Sequence, residues 1–308
     1  MASWSICSTV KEPQAVLDRF VRHHLDAGAA YVHLFFDDPE DPAYHRFERH
    51  DLVVAELCDD KYWSRFGRRR PPQQERRQKL NAARAYQLCQ TAWQAHIDAD
   101  ELIVPPSKAG LTKVLARIPN QIETLKMDPI EPLYCPEPER DGALFKKTGR
   151  STRHRVLART FGIYLPLLNH GLMGHCHGKS FLRAGLDGWS HGIHRPRPPE
   201  GEMRNALLLD TINIAHLHCA DRTDWLHRVT RKAKDPQYSA GGALPLVRDI
   251  RACHGPEADN LSDARLLGHF YDRVNGYHGK LKRRLDRANL VTRCDLYCAL
   301  PELSRAAA

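Results

Sequence analysis

The sequence predicts an α/β fold: a mostly parallel, doubly wound sheet flanked by helices, with a helical C-terminal extension. Three observations predict it. Strand and helix signals alternate through the first hundred or so residues, the pattern of crossover-linked parallel strands. Acidic clusters follow directly on strands, where open α/β sheets place their ligands. From Asp221 onward the pattern turns helical. The change of pattern divides the chain into an α/β domain over residues 1–220 and a helical extension over 221–308.

The elements follow in order. Trp4–Val10 is rich in β-branched and aromatic residues and reads as a strand. Pro13 suits the first turn of a helix, and Glu12 favours its positive end. Val16, Leu17, Phe20, Val21 and Leu25 form one apolar stripe, and Gly28 suits the stop. Residues 31–36 read as a second strand, 37–42 as an acidic loop and 52–57 as a third strand. Pro71 and Pro72 open a long polar helix, and a strand then leads into Asp98. A helix is expected over 111–118 and a strand over 122–128. Residues 129–152, rich in proline and charge, read as an irregular insertion. Residues 155–161, 179–183 and 212–218 read as strands. Ser262 caps an amphipathic segment with Leu266, Leu267, Phe270, Val274, Tyr277, Leu281 and Leu285 on one face. Lys280, Lys282, Arg283, Arg284 and Arg287 lie on the other.

Composition narrows the class. The 308 residues are 42% hydrophobic and 27% charged, as expected of a globular protein. No apolar run of about 18 residues is present, which argues against a membrane-spanning helix. The opening residues lack a signal-like pattern, so a cytoplasmic location is expected. Nine scattered cysteines, an odd number, argue against a disulfide framework. The net charge of +9 points to an anionic partner, and the guanidinium fork of its many arginines suits phosphate.

The most informative stretch is residues 93–105, WQAHIDADELIVP. In an extended backbone residues i and i+2 point the same way, so Asp98 and Asp100 are expected to project together. Two neighbouring carboxylates repel unless a cation lies beside them. Mn2+ or Mg2+ is the natural partner, with open positions left for phosphate oxygens. The plain alternative is an acidic turn facing water.

Several segments then occur in a recognisable order: STVKE at residues 8–12, RHHLDAGA at 22–29, YVHLFFDD at 31–38 and IDADE at 97–101. GKSFLR at 178–183, GIHRP at 192–196 and IAHLHC at 214–219 continue the series. Together, over about residues 3–235, they resemble the bacterial family 2-like glycosyltransferases and, more distantly, the family 92 type. The chain departs from that pattern before Glu12, where Asn is missing, and at Leu217, where Tyr is usual.

The resemblance implies a GT-A fold, a Rossmann-like sheet binding a nucleotide-diphosphate sugar over residues 1–220. It implies that Asp100 coordinates Mn2+ or Mg2+ and that Asp98 holds the ribose or a metal-bound water. His216 would supply another metal ligand. Lys11 and Glu12 would lie beside the nucleobase, and Asp37 or Asp38 would accept from base or ribose. Gln78 and Asn81 would approach the nucleotide or its metal, Lys179 a phosphate or the acceptor, and His194 the acceptor side. A carboxylate must deprotonate the acceptor hydroxyl in an inverting transfer. Asp187, in the turn Gly185 to Gly188, is preferred over Asp210 and Glu202. The acceptor would be a glycan, a lipid-linked glycan or a protein. Nucleic acid is not expected as a partner, and the basic C-terminal helices suit a peripheral contact with the inner face of an anionic membrane.

Two rival readings stand beside it. His170, His175, Cys176, His177, His191, His194, His216, His218 and Cys219 crowd the second half and suggest a zinc-binding protein. The His-x-His pairs at 175/177 and 216/218 each place two ligands on one side of a strand. The net charge with Arg68 to Arg70, Arg76 and Arg77 suggests a nucleic-acid binder, without any recognised module. A GxSxG elbow and a phosphate-binding P-loop are absent from the sequence.

Overall fold

The computed structural model describes residues 2–67, 69–105, 110–135, 143–201, 203, 205–219, 221–233, 245–258, 260–294 and 296. In chain order the strands are β1 (Trp4–Val10), β2 (Val32–Phe36), β3 (Val53–Leu57), β4 (Trp93–His96), β5 (Glu101–Val104), β6 (Thr124–Pro132), β7 (Ala143–Lys147), β8 (Lys179–Arg183), β9 (Ala206–His216) and β10 (Val291–Cys294). The helices are α1 (Gln14–Asp26), α2 (Tyr44–Phe47), α3 (Asp60–Ser64), α4 (Gln74–Gln87), α5 (Gly110–Leu115), α6 (His154–Phe161), α7 (Arg222–Ala233), α8 (Pro245–His254), α9 (Asp263–Asn275) and α10 (Gly279–Arg287).

The chain forms two compact units, Met1–Asp128 with His177–Ile214 and Pro129–Cys176 with Ala215–Ala308. The division is discontinuous, whereas the sequence pattern places one boundary at residue 220. The chain changes unit three times: inside β6, inside β9, and once in the loop between residues 176 and 177 that leads to β8.

The first unit is α/β. Its strands run in the order β3-β2-β1-β4 with parallel pairing, and β8 then adds antiparallel to β4. Parallel neighbours need crossovers, which α1 supplies between β1 and β2 and α4 between β3 and β4. β1 therefore has the next strand in sequence on one side and the much later β4 on the other. That reversal is the topological switch point at which such sheets bind ligands. Helix α1 buries Leu17, Phe20 and Val21, each worth about 1.5–3 kcal/mol. It stops where Gly28 takes φ +97°, a conformation that side chains rarely adopt. Phe35, Tyr62, Trp63, Ala82 and Ala85 pack one core of this unit.

In the second unit β7 pairs antiparallel with the end of β6, and β10 with β7. Its core gathers Leu144, Leu157, Phe161, Tyr164, Phe270, Leu281 and Leu285. Three sequence expectations are corrected here. Residues 129–152 are not an irregular insertion throughout: β6 runs on to Pro132 and β7 follows, with Leu144 and Phe145 buried. Residues 155–161 are helical, not extended, because Leu157, Thr160 and Phe161 bury at helical spacing and that packing outweighs the β preference of Val156 and Thr160. The single amphipathic segment after Ser262 is two helices. It breaks at Gly276 and Tyr277, where Tyr134 N–H donates to Asn275 O (2.9 Å) and Tyr277 N–H donates to Tyr134 O (2.7 Å). Ser262 stands at the N-cap without a side-chain capping bond.

Among the described residues no helix is long and apolar enough to cross a membrane. The described cysteines are free thiols.

Candidate functional site

The acidic motif lies where β4 ends. The strand stops at His96, so Asp98 and Asp100 are not consecutive outward positions of an extended chain, as their spacing predicts. Residues 98–101 instead close a turn. Glu101 N–H donates to Asp98 O (3.0 Å), and Asp98 N–H donates to Glu101 Oε2 (3.0 Å). Glu101 is fully buried, whereas Asp98 keeps about a third of its side chain exposed.

Lys179 opens β8. Antiparallel pairing sets Ala95 opposite Phe181, which carries Lys179 toward the residues that follow β4. Its Nζ lies 2.6 Å from Asp98 Oδ2 and 3.3 Å from Glu101 Oε2, with no exposed side-chain surface. Gln78, on α4, donates Nε2–H to Asp98 Oδ1 (3.1 Å). Burial works against charge on Lys179, but Glu101 and Asp98 outweigh it and raise its pKa. Burial likewise opposes ionisation of Asp98, yet Lys179 and His96 hold its carboxyl below the ordinary value. Lys179 is thus not a surface cation reaching for phosphate. It is the buried counter-charge that aims Asp98.

Behind the turn lie two buried imidazoles. His96 donates from Nδ1 to Gly192 O (2.9 Å), and its ring centroid is 6.2 Å from that of His191. Burial, then Lys179, lowers His96 to about 4; burial, then His96, lowers His191 to about 3. Both are neutral at physiological pH. His194 is half-buried, bonds Gly178 O through Nδ1 (3.2 Å) and faces His177 at 5.3 Å. Burial, then Lys179, lowers its pKa. His96 bears on the motif but carries no spacing signal of its own. Its position two residues before Asp98 was the available clue.

The ends of β1 and β2 meet at the same edge. Lys11 Nζ lies 3.2 Å from Asp38 Oδ2, with Glu12 half-buried beside it. Asp38 also accepts from Glu40 N–H (3.1 Å), and that bond, then Lys11, lowers its pKa. Asp37 is caged. Arg77 donates Nε–H and Nη2–H to its two oxygens (2.6 and 2.7 Å), and Arg70 adds a third bond at 2.9 Å. Arg77 also donates to the carbonyls of Pro71 and Pro72. Asp37 therefore anchors the loop before α4. Asn81 is fully buried; its amide donates to Thr9 Oγ1 (2.9 Å) and accepts from Tyr62 (2.7 Å), tying α4 to β1 and α3.

The remaining candidates lie elsewhere. Asp187 and Asp210 are exposed, on a turn and on β9, and neither belongs to the group that holds Asp98. Glu202 and Arg68 lie outside the described residues. His216 belongs to the second unit, where it stands with Glu131 and His218. His170 and His177 are exposed, and the carbonyl of Cys176 accepts from the Arg150 guanidinium.

A hard divalent cation fits the turn. Three carboxylates, Asp98, Asp100 and Glu101, occur within four positions, and Lys179 lies against the first and the last of them. Asp98 accepts two bonds of the roughly four its carboxylate can take. Glu101, fully buried and turned to Lys179, is not a candidate ligand.

No protein-family model and no curated relative matches the chain. Among solved structures it is similar in part to CMP:2-keto-3-deoxy-manno-octonic acid synthetase complexed with CTP, at 11% identity and a TM-score of 0.30. That match covers 42% of this chain and 53% of the other, so this chain spans about half the synthetase's length. It is similar to the mannosyltransferase PcManGT from Pyrobaculum calidifontis in complex with GDP-Man and Mn2+, at 12% identity and a TM-score of 0.38, covering 99% of this chain and 74% of that one. S. aureus TarS residues 1–349 gives 10% identity and a TM-score of 0.37, covering 99% and 81%. Likenesses at these scores leave the family open.

Proposed function

We propose that this chain is a glycosyltransferase that moves a sugar from a nucleotide-diphosphate donor to an acceptor hydroxyl. One observation carries the reading: a carboxylate, Asp98, aimed by buried Lys179 at the carboxyl end of β4, beside the switch point of a parallel sheet. The order of motifs that resembles family 2-like glycosyltransferases supports it.

In this reading Lys179 and Gln78 hold Asp98 in place to receive the donor's ribose or a water. Lys11, Glu12 and Asp38, at the end of β1 and β2, border the nucleoside. Arg70, fixed by Asp37 and partly exposed, offers a donor to phosphate. Asp100, with Asp98 beside it, would hold Mn2+ or Mg2+, which when bound neutralises charge on the leaving diphosphate. Asp187, or else Asp210, takes the proton of the acceptor hydroxyl if the transfer inverts. The acceptor class we favour is a surface glycan, free or lipid-linked, and the chain is assigned to the cytoplasm.

Calorimetric titration of uridine and guanosine diphosphates tests the reading, in wild type and Asp100→Ala, with and without Mn2+. Mn2+ is expected to tighten binding to the wild type by about tenfold, or about 1.4 kcal/mol, and to do nothing for the variant. An equal Mn2+ effect in both proteins removes Asp100 from its role.

A further inference from the structure

We propose that the second unit carries a transition-metal site of its own, formed by Glu131, His216 and His218 and suited to Zn2+. Its three residues all belong to that unit, and the proposal does not rest on the donor-binding reading. It takes His216 away from the role that the family resemblance implies for it.

The three residues come from two strands. Glu131 is the next-to-last residue of β6; His216 ends β9 and His218 follows two positions later. The two imidazole rings lie together, 5.1 Å between centroids. One ligand atom of each residue lies within 4.8 Å of the others. Glu131 is fully buried, and both histidines are half-buried.

The carboxylate is held ready. Glu131 Oε1 accepts from Gly174 N–H (2.6 Å) and Oε2 from Met173 N–H (2.8 Å), which fixes its plane. Buried Lys146 pairs with Glu131 Oε2 at 3.8 Å and also donates to Val274 O (2.9 Å) and Asn275 Oδ1 (2.6 Å).

Space is kept open between the ligands. A Cβ on Gly174 would sit 3.0 Å from Glu131 Oε1 and 3.1 Å from His216 Nδ1. A side chain at position 174 would crowd two of the three donors, and glycine keeps that volume free. His175 stacks on His216 at 5.3 Å with a 24° interplanar angle, which fixes that ring.

The donor set selects the metal class. Two imidazole nitrogens and one carboxylate oxygen suit Zn2+ and its first-row neighbours, whereas Mg2+ and Ca2+ prefer oxygen throughout. Ligand bonds of about 2.0–2.2 Å require the three atoms to draw closer together than the 4.8 Å within which they now stand. Three protein ligands leave a fourth position for water, the arrangement of open zinc centres. The rival is an ion pair between Glu131 and protonated histidine, with no metal.

The test reads metal, not transfer. The full chain is stripped with chelator, reloaded with zinc sulfate, desalted and analysed by inductively coupled plasma mass spectrometry. Cobalt(II) reloading is followed by visible absorption. Wild type and Asp100→Ala are each expected to retain about one zinc per chain and to show the bands of a nitrogen-ligated cobalt. His218→Ala is expected to lose zinc affinity by about tenfold or more, with melting of the metal-free protein unchanged. His216→Gln supplies the same readout should His218→Ala not fold. Wild type that retains no zinc after desalting overturns the proposal in favour of the ion pair. Equal retention by wild type and the histidine variant overturns it too, as does loss of zinc in Asp100→Ala.

Discussion

The ammonium of Lys179 lies 2.6 Å from Asp98 Oδ2, and the lysine has no exposed surface. Removing one member of a buried ion pair leaves the other uncompensated. Lys179→Met is therefore expected to cost about 3–5 kcal/mol in urea unfolding. Adding Glu101→Gln removes a second buried charge and should return part of that loss. A cost under about 1 kcal/mol would mean that the pair is solvated rather than buried.

Arg77 grips Asp37 with two guanidinium bonds and two proline carbonyls with a third nitrogen. A lysine cannot reproduce that planar fork. We expect Arg77→Lys to destabilise the chain by about 2–4 kcal/mol, measured by denaturant titration. A neutral outcome would show that the charge alone suffices.

Acid sensitivity follows from His96 and His191. Their folded pKa values, about 4 and about 3, lie below the unfolded value near 6.5. Below about pH 6.5 the unfolded chain takes up protons that the native state refuses, so stability falls with pH until the folded values are reached. Each histidine contributes a slope of about 1.4 kcal/mol per pH unit in that window. His191→Phe should flatten the stability profile between about pH 6.5 and about pH 5. An unchanged slope would count against its buried, neutral state.

Asn81→Ala strands Tyr62 and Thr9, both bonded to the missing amide. The expected cost is about 1–3 kcal/mol with nucleotide affinity unaltered. Weakened nucleotide binding at full stability would instead make Asn81 a ligand contact.

Much of the architecture was legible in the residues. β1 is found over Trp4–Val10 as its composition predicts, α1 stops at its glycine, and β2, β3 and β8 fall where apolar and β-branched runs place them. Those signals are local. What escaped reading is non-local. β7 is short and gains its place by pairing with β6 and β10, and the break between α9 and α10 depends on a bond to Tyr134. The candidate site divides the same way. Asp98 and its neighbours announce themselves by charge, but Lys179 is about eighty positions away, and only strand pairing reveals that it is buried against them. Asp37 and Asn81 look like exposed polar groups in sequence because their partners, Arg77 and Thr9, are also distant.

The two reciprocal bonds between Asp98 and Glu101 also act as a ruler. Adding or deleting one residue between them would shift Glu101 out of register with Lys179 and unseat Asp98. Loop-length variation at this point of the chain is therefore foreclosed, and the segment can diversify only by exchanging side chains at constant spacing.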